Sequence, residues 1–222
     1  VPEVIGQTLA HRRVVFVDTL IEVWLLEDDR FARVDDVDRA GCTLGDAAVV
    51  DPGGDIEKIL DGVKQMGGNV KKILLTHGHL DHCAAAKDLA NQLGVPIEGP
   101  QEEERFWIDQ LPEQTVRFGF GHAKVFEPDR WLNNGDHVKV GHVDLEVFHC
   151  PGHTPGHVVF FDKEDRLAIV GDVLFAGSIG RTDFPRGNHA DLINAIKTKL
   201  WPLGDDVQFV PGHGPIDRKS VV

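Results

Sequence analysis

Histidine and aspartate side chains are concentrated in one short segment of the sequence. His77, His79, Asp81 and His82 form the pattern H-x-H-x-D-H, one residue after the apolar run 73–75 and before an alanine- and leucine-rich helical pattern. Side chains two residues apart point the same way from an extended chain, so His77 and His79 can face one metal ion. Neutral imidazole is the common zinc ligand, and carboxylate is a frequent companion. The segment therefore predicts a metal site where a strand turns into a helix.

Three further candidate ligands follow apolar segments elsewhere in the chain. His153 stands in a turn rich in proline and glycine, Asp172 follows the apolar run 167–170, and His213 follows the run 207–210. Each lies beside small or turn-forming residues, where functional side chains are often found. A histidine or aspartate that can bind metal thus stands at each of four predicted strand ends. This recurrence favours one shared site over four separate structural roles.

The elements that must position these side chains can be predicted from apolar periodicity. Strands with helices between them are expected in both halves of the chain, which predicts two packed sheets with helices outside. Residues 112–135 are predicted to be irregular, and residues 27–39 to form a surface loop. The predicted strands are 14–17, 21–26, 47–50, 72–76, 95–97, 137–140, 143–149, 157–162, 166–170 and 207–210, and the predicted helices are 55–66, 83–93, 101–111 and 189–200.

The composition is that of an ordinary globular protein, with 41% hydrophobic and 27% charged residues in 222. The net charge of -13 argues against non-specific binding of nucleic acid. No apolar run reaches transmembrane length and no signal-peptide pattern opens the sequence, so we expect no membrane association. Three cysteines without paired spacing argue against a disulfide framework and fit a reducing, cytoplasmic setting.

Taken together, the motifs resemble those of the metallo-β-lactamase superfamily, and within it the glyoxalase II-like (hydroxyacylglutathione hydrolase-like) enzymes of the short bacterial type. This resemblance covers about residues 42–214. It implies an α/β fold, an αββα sandwich of two mixed sheets flanked by helices, in a single domain over 1–222. The segments that carry it are DPGGD at 51–55, LLTHGHLDH at 74–82, HCPGHTPGHVVFF at 149–161, GDVLF at 171–175, GRTDFPRG at 180–187 and PGHG at 211–214.

The resemblance also implies a site for two divalent metal ions. Zinc is expected first, and iron and manganese also suit such ligands. The implied reaction is hydrolysis of a small acyl-thiol, a thioester such as S-lactoylglutathione, by a metal-bridging hydroxide, with Asp81 and Asp172 as catalytic residues. One ion would be held by His77, His79 and His153 and the other by Asp81, His82 and His213, with Asp172 as a bridge.

Several other side chains near these motifs also have expected roles. Asp51 and His157 are predicted to orient ligands, with turn capping and strand packing as the alternatives. Cys83 is predicted to pack inward rather than to ligate, because free cysteine is usually buried. The basic residues available for an anionic substrate are Arg181, Arg186 and Lys124.

This sequence departs from the family pattern in two respects, and a second function has to be considered beside thioester hydrolysis. The first 41 residues match the family poorly, and we expect no C-terminal helical glutathione-binding domain, so glutathione recognition is not carried over. The competing function is an iron-dependent persulfide dioxygenase of the same fold, which would need only His77, His153 and Asp172. A β-lactam hydrolase, a nuclease and a structural zinc module are less favoured, and the oligomeric state is unknown.

Overall fold

Two β-sheets face each other in the computed structural model, and helices cover the outer face of each. The structure describes residues 5–9, 12–16, 24–27, 45–66, 68–214 and 216–218. The strands are β1 (Ile5–Leu9), β2 (Arg12–Phe16), β3 (Trp24–Glu27), β4 (Asp46–Val50), β5 (Asn69–Leu74), β6 (Ile97–Glu98), β7 (His137–Val140), β8 (Val143–His149), β9 (Val158–Asp162), β10 (Leu167–Gly171), β11 (Leu174–Phe175), β12 (Ser178–Ile179), β13 (Gln208–Pro211) and β14 (Asp217–Arg218).

The helices lie between the strands and on the outside of the sheets. None of those in the described part of the chain is long and apolar enough to cross a membrane. The α-helices are α1 (Ile56–Met66), α2 (Leu80–Cys83), α3 (Ala86–Leu93), α4 (Arg105–Ile108), α5 (Leu111–Phe118) and α6 (His189–Ala195). A 3₁₀ turn, Glu102–Glu104, leads into α4, and α6 continues through a π-helical turn, Ile196–Leu200, and a 3₁₀ turn, Trp201–Leu203.

Strand order shows how each sheet is built. The four-stranded sheet has the order β3-β4-β5-β6, and the six-stranded sheet has the order β14-β13-β10-β9-β8-β7. β4, β5 and β6 are parallel, and so are β10 and β13, while the other pairs in these two sheets are antiparallel. Helix α1 connects β4 to β5, and α2 and α3 connect β5 to β6, which are the crossovers that parallel strands need.

Alternating side chains in the central strands fill three separate cores. In β4, Val49 packs in the core beneath α1 and α3, whereas its neighbour Val50 packs between the two sheets. In β9, Phe160 packs between the sheets, whereas Phe161 packs in the core beneath α6. Strands buried on both faces need apolar residues at consecutive positions, which these strands have. The predicted sandwich of two sheets with helices outside is therefore confirmed.

The structure corrects the predicted elements at several points. Residues 112–135 are not irregular throughout, because α5 covers 111–118 with Pro112 in its first turn, where proline is tolerated. The predicted helix 101–111 is divided into the 3₁₀ turn and α4. The predicted helix 83–93 begins too late and is interrupted, because α2 begins at Leu80 and ends at Cys83, and α3 begins at Ala86. Strand β5 begins three residues before the predicted 72 and ends before the histidines, whereas the predicted loop 27–39 lies almost wholly outside the described residues.

Candidate metal centre

Parallel pairing brings the candidate ligands to one edge of the sandwich. Asp51 follows β4 and donates its backbone N–H to the carbonyl of Leu74 at 2.9 Å, so it lies beside the segment that follows β5. In the same way, the N–H of Gly212 donates to the carbonyl of Gly171 at 2.8 Å, which brings the ends of β10 and β13 together. The carboxyl ends of these strands therefore converge, as in other open sheets where sites form at strand ends.

Three buried imidazoles form the first cluster, here named the first triad: His77, His79 and His153. The Nδ1 atom of His79 lies 3.1 Å from Nε2 of His77 and 3.0 Å from Nε2 of His153. Three ring nitrogens thus point at nearly one place, and hydrogen bonds between them cannot satisfy all three. A cation bound by their lone pairs would do so.

A second cluster lies nearer the surface, here named the second triad: Asp81, His82 and His213. Nε2 of His213 lies 3.3 Å from Nε2 of His82 and 3.2 Å from Oδ2 of Asp81. The side chain of His82 is buried, whereas the side chains of Asp81 and His213 are 42% and 41% exposed. This cluster is therefore the open side of the centre.

Asp172 lies between the two triads. Its Oδ2 atom is 3.5 Å from Nε2 of His153 and 3.8 Å from Nε2 of His213, and its Oδ1 atom is 3.5 Å from Nε2 of His82. The Oδ1 atom is buried and has no hydrogen-bond partner among the described residues. Five imidazoles and two carboxylates with this unsatisfied oxygen fit divalent metal ions, which take nitrogen and oxygen ligands.

Hydrogen bonds hold the outer nitrogens of several imidazoles and so turn the inner nitrogens toward the centre. Nδ1 of His77 lies 3.0 Å from the hydroxyl of Thr76, and Nδ1 of His153 donates to the carbonyl of Arg181 at 2.8 Å. Nδ1 of His82 lies 3.1 Å from Oδ2 of Asp51. Such contacts fix the tautomer and orientation of metal-binding histidines.

Asp51 and His157 both contact residues of the two triads. The Asp51 carboxylate accepts hydrogen bonds from the backbone N–H and the hydroxyl of Thr76, at 2.7 and 2.6 Å. His157 stacks on His77 with ring centroids 4.7 Å apart, and its Nε2 accepts the backbone N–H of Asp172 at 3.1 Å. Neither side chain is a capping group in an isolated turn, since each contacts the segments that carry ligands.

The two triads differ in their protonation. Burial and the neighbouring imidazoles lower the pKa of His77, burial and His153 lower that of His79, and burial lowers that of His153. Burial also acts to lower the pKa of His82, but the carboxylates of Asp172, Asp51 and Asp81 outweigh it and raise the pKa to about 10. The hydrogen bond to Asp81 raises the pKa of His213. At neutral pH the first triad is therefore neutral without metal, whereas the second triad holds a proton on His82.

We expect this difference to separate the two metal-binding steps by pH. An ion entering the first triad should release no proton, whereas an ion entering the second must displace at least the proton on His82. Affinity for the second ion should therefore rise at least about tenfold per pH unit below about pH 10, the raised pKa of His82. Calorimetric titration of the metal-free protein with zinc, in buffers of different ionisation enthalpy, counts the protons at each step.

The matched control is His137→Gln, because His137 is exposed and pairs with Asp144 away from the centre. It should leave both proton counts unchanged. Equal proton release in the two steps would contradict the assignment of neutral and protonated triads.

Aromatic side chains border the first triad. The ring of Phe184 lies 4.8 Å from that of His79 and 5.6 Å from that of His153, and the ring of Trp107 lies 4.6 Å from that of His79. The guanidinium carbon of Arg181 is 4.3 Å from the centroid of Phe184. The centre thus has an apolar wall, and at its outer side Arg181 is paired with Asp183 through two hydrogen bonds, at 2.9 and 2.8 Å.

Other sequence-predicted groups have different surroundings. Arg186 stacks on Phe106 with its guanidinium carbon 4.0 Å from the ring centroid, and Lys124 pairs with Asp88 at 2.6 Å. Of the three predicted basic groups, only Arg181 stacks on a ring that borders the first triad. Cys83 is buried in the core beneath α1 and α3 and is a free thiol, as predicted.

Several known proteins are similar to this chain in sequence or in fold. Residues 43–213 match the model of the metallo-beta-lactamase superfamily. The hydroxyacylglutathione hydrolase GloC of Haemophilus influenzae is 48% identical over 169 residues, 76% of this chain and 80% of that protein. Among solved structures, the BLEG-1 B3 metallo-beta-lactamase has a TM-score of 0.75 and 30% identity over 91% of this chain and 92% of its own. TTHA1623, solved in a di-iron-bound form, has a TM-score of 0.73 and 27% identity over 98% and 94%.

The fold and the clusters define the class: an αββα sandwich with histidine and aspartate groups that can hold metal ions at one edge. The chain belongs to the metallo-β-lactamase superfamily, and it is a hydrolase of that superfamily. The predicted family and fold class are confirmed, and the family match begins within one residue of the predicted start.

Proposed function

We propose that this protein is a dinuclear-metal hydrolase that cleaves a thioester, S-lactoylglutathione or a similar small acyl-thiol. The observation that carries the proposal is the position of Asp172, whose carboxylate oxygens lie 3.5 to 3.8 Å from imidazole nitrogens of both triads. One carboxylate shared in this way suits a pair of ions rather than one. The similarity to GloC, a hydroxyacylglutathione hydrolase, supports the thioester as substrate.

Each triad would hold one divalent ion, with Asp172 between them and zinc as the first choice. When bound, such a pair supplies a water acidified to a pKa of about 7 and a Lewis acid that polarises the substrate carbonyl. The chain supplies a buried first triad with oriented rings. It also supplies an open second triad, where a substrate can approach through the half-exposed side of Asp81 and His213.

Asp81 would orient the attacking water rather than store its proton. Burial acts to raise the pKa of Asp81, but the hydrogen bond with His213 and the charges of nearby imidazoles outweigh it and lower the pKa. Asp81 therefore stays ionised at neutral pH, as an acceptor for a water O–H. Phe184 and Trp107 exclude water on the other side, which strengthens the electrostatic interactions within the centre.

The decisive experiment is hydrolysis of S-lactoylglutathione by the zinc-loaded protein. We expect kcat/KM of about 10⁴ M⁻¹s⁻¹ or more, within the ordinary enzyme range. The control is protein stripped of metal with a chelator, which should be inactive and should recover when zinc is restored.

Absent or very slow turnover would show the thioester proposal to be wrong. Two further assays then identify the alternative. Oxygen consumption by the iron-loaded protein with glutathione persulfide would indicate the dioxygenase, and hydrolysis of a chromogenic β-lactam by the zinc form would indicate a lactamase.

A further inference from the structure

The carboxylate of one buried glutamate contacts the two loops that carry the first triad, although this glutamate belongs to neither triad. Glu104 is fully buried. Its Oε2 atom accepts the backbone N–H of Gly78 at 2.8 Å, and its Oε1 atom accepts the backbone N–H of Gly156 at 2.7 Å. Gly78 lies between His77 and His79, and Gly156 lies in the loop that also carries His153. A single side chain therefore links the segments that supply all three imidazoles.

The fit at both glycines is tight. A Cβ atom on Gly78 would lie 2.9 Å from Cβ of Trp107 and 3.0 Å from Oε2 of Glu104. A Cβ atom on Gly156 would lie 2.7 Å from the carbonyl oxygen of Gln101 and 2.8 Å from Cγ of Glu104. Only glycine at these two positions lets the helical segment 102–108 approach the loops so closely.

Burying this carboxylate is costly. Burial raises the pKa of Glu104 to about 7, although the side chain of Thr154 and the two backbone hydrogen bonds act to lower it. In the part of the chain that the structure describes, no lysine or arginine forms an ion pair with it. An apolar side chain would avoid this cost, but it would leave the buried N–H groups of Gly78 and Gly156 without acceptors. The glutamate is therefore explained by these two hydrogen bonds and not by packing alone.

We propose that Glu104 is a positioning residue of the metal centre. It holds the loop of His77 and His79 and the loop of His153 at the separation that lets the three rings bind one ion. This inference rests on the metal centre proposed above, but not on the identity of the substrate. Loss of an outer group that orients metal ligands typically weakens metal affinity by about 10- to 100-fold.

The test compares Co²⁺ binding by the full chain and its variants, using competition with a chelating dye and the visible spectrum of the bound ion. Glu104→Gln keeps the size but turns one acceptor into a donor that faces an N–H. Glu104→Asp keeps the charge but is too short for both bonds. The control is Glu103→Gln, since Glu103 is exposed on the same turn.

We expect both Glu104 variants to bind the first Co²⁺ about 10- to 100-fold more weakly, with an altered spectrum, and the control to match the unsubstituted protein. Unchanged affinity and spectrum in Glu104→Gln or Glu104→Asp would overturn the proposal, even if the melting temperature falls. Because no substrate is used, an inactive wild-type protein that binds Co²⁺ normally would count against the thioester alone.

Hydrogen exchange gives a test that needs no folded variant. In the unsubstituted, metal-free protein, the amides of Gly78 and Gly156 should be protected as strongly as those of the central strands. Exchange at the rate of an exposed amide before metal is added would show that Glu104 does not hold the loops, and the proposal would be wrong.

Discussion

Asp172→Asn is expected to lower the metal content from two ions to one and kcat/KM for thioester hydrolysis by roughly a thousandfold. Asparagine has the same shape, and it keeps the backbone N–H that donates to His157. It loses the charge and one of the two oxygens that lie near both triads. Metal ions supply several kcal/mol of transition-state stabilisation, and about 1.4 kcal/mol corresponds to a factor of ten in rate.

Metal analysis of the dialysed protein and steady-state kinetics measure both effects. Asp144→Asn is the matched control, because Asp144 is an exposed aspartate on β8 that pairs with His137. It should retain two ions and full activity. Two ions and an undiminished rate in Asp172→Asn would contradict the role of this carboxylate as the shared ligand.

Much of the centre could be predicted because its ligands are local to strand ends. The apolar runs before Asp51, His77, Asp172 and His213 mark strands, and turn residues mark where they end. Parallel pairing of the strands then brings these ends together, so a pattern that is spread over the sequence becomes a cluster. The resemblance to a known family supplied the grouping into two triads, which strand spacing alone leaves open.

The parts that the sequence did not reveal depend on contacts between distant segments. Glu104 stands in a run of three glutamates and an arginine, which resembles a solvated helix face; only the fold shows that one of the three is buried. The role of His157 was equally undecided, because the choice between orienting a ligand and packing in a strand depends on which distant segments its ring contacts. Helix α5 was missed since its Pro112 is compatible with either a loop or the first turn of a helix.

Gly212→Ala is the second large effect that we expect, although it removes no chemical group. Gly212 immediately precedes His213, and its backbone does not require a positive φ, so alanine is not excluded by conformation. An added Cβ would lie 2.3 Å from Oδ1 of Asp172 and 2.6 Å from Cε1 of His82. One methyl group would therefore displace the shared carboxylate and a second-triad imidazole together.

We expect kcat/KM to fall about a hundredfold, which is the cost of a displacement of about 1 Å in a catalytic group. The second ion should be held more weakly than the first, because His82 belongs to the second triad. Gly121→Ala is the control, since a methyl there meets no atom within 4 Å. Kinetics and metal analysis of both variants decide the matter. If Gly212→Ala behaves like the control, the strand end can move away from Asp172, and close packing at that end does not determine the geometry of the centre.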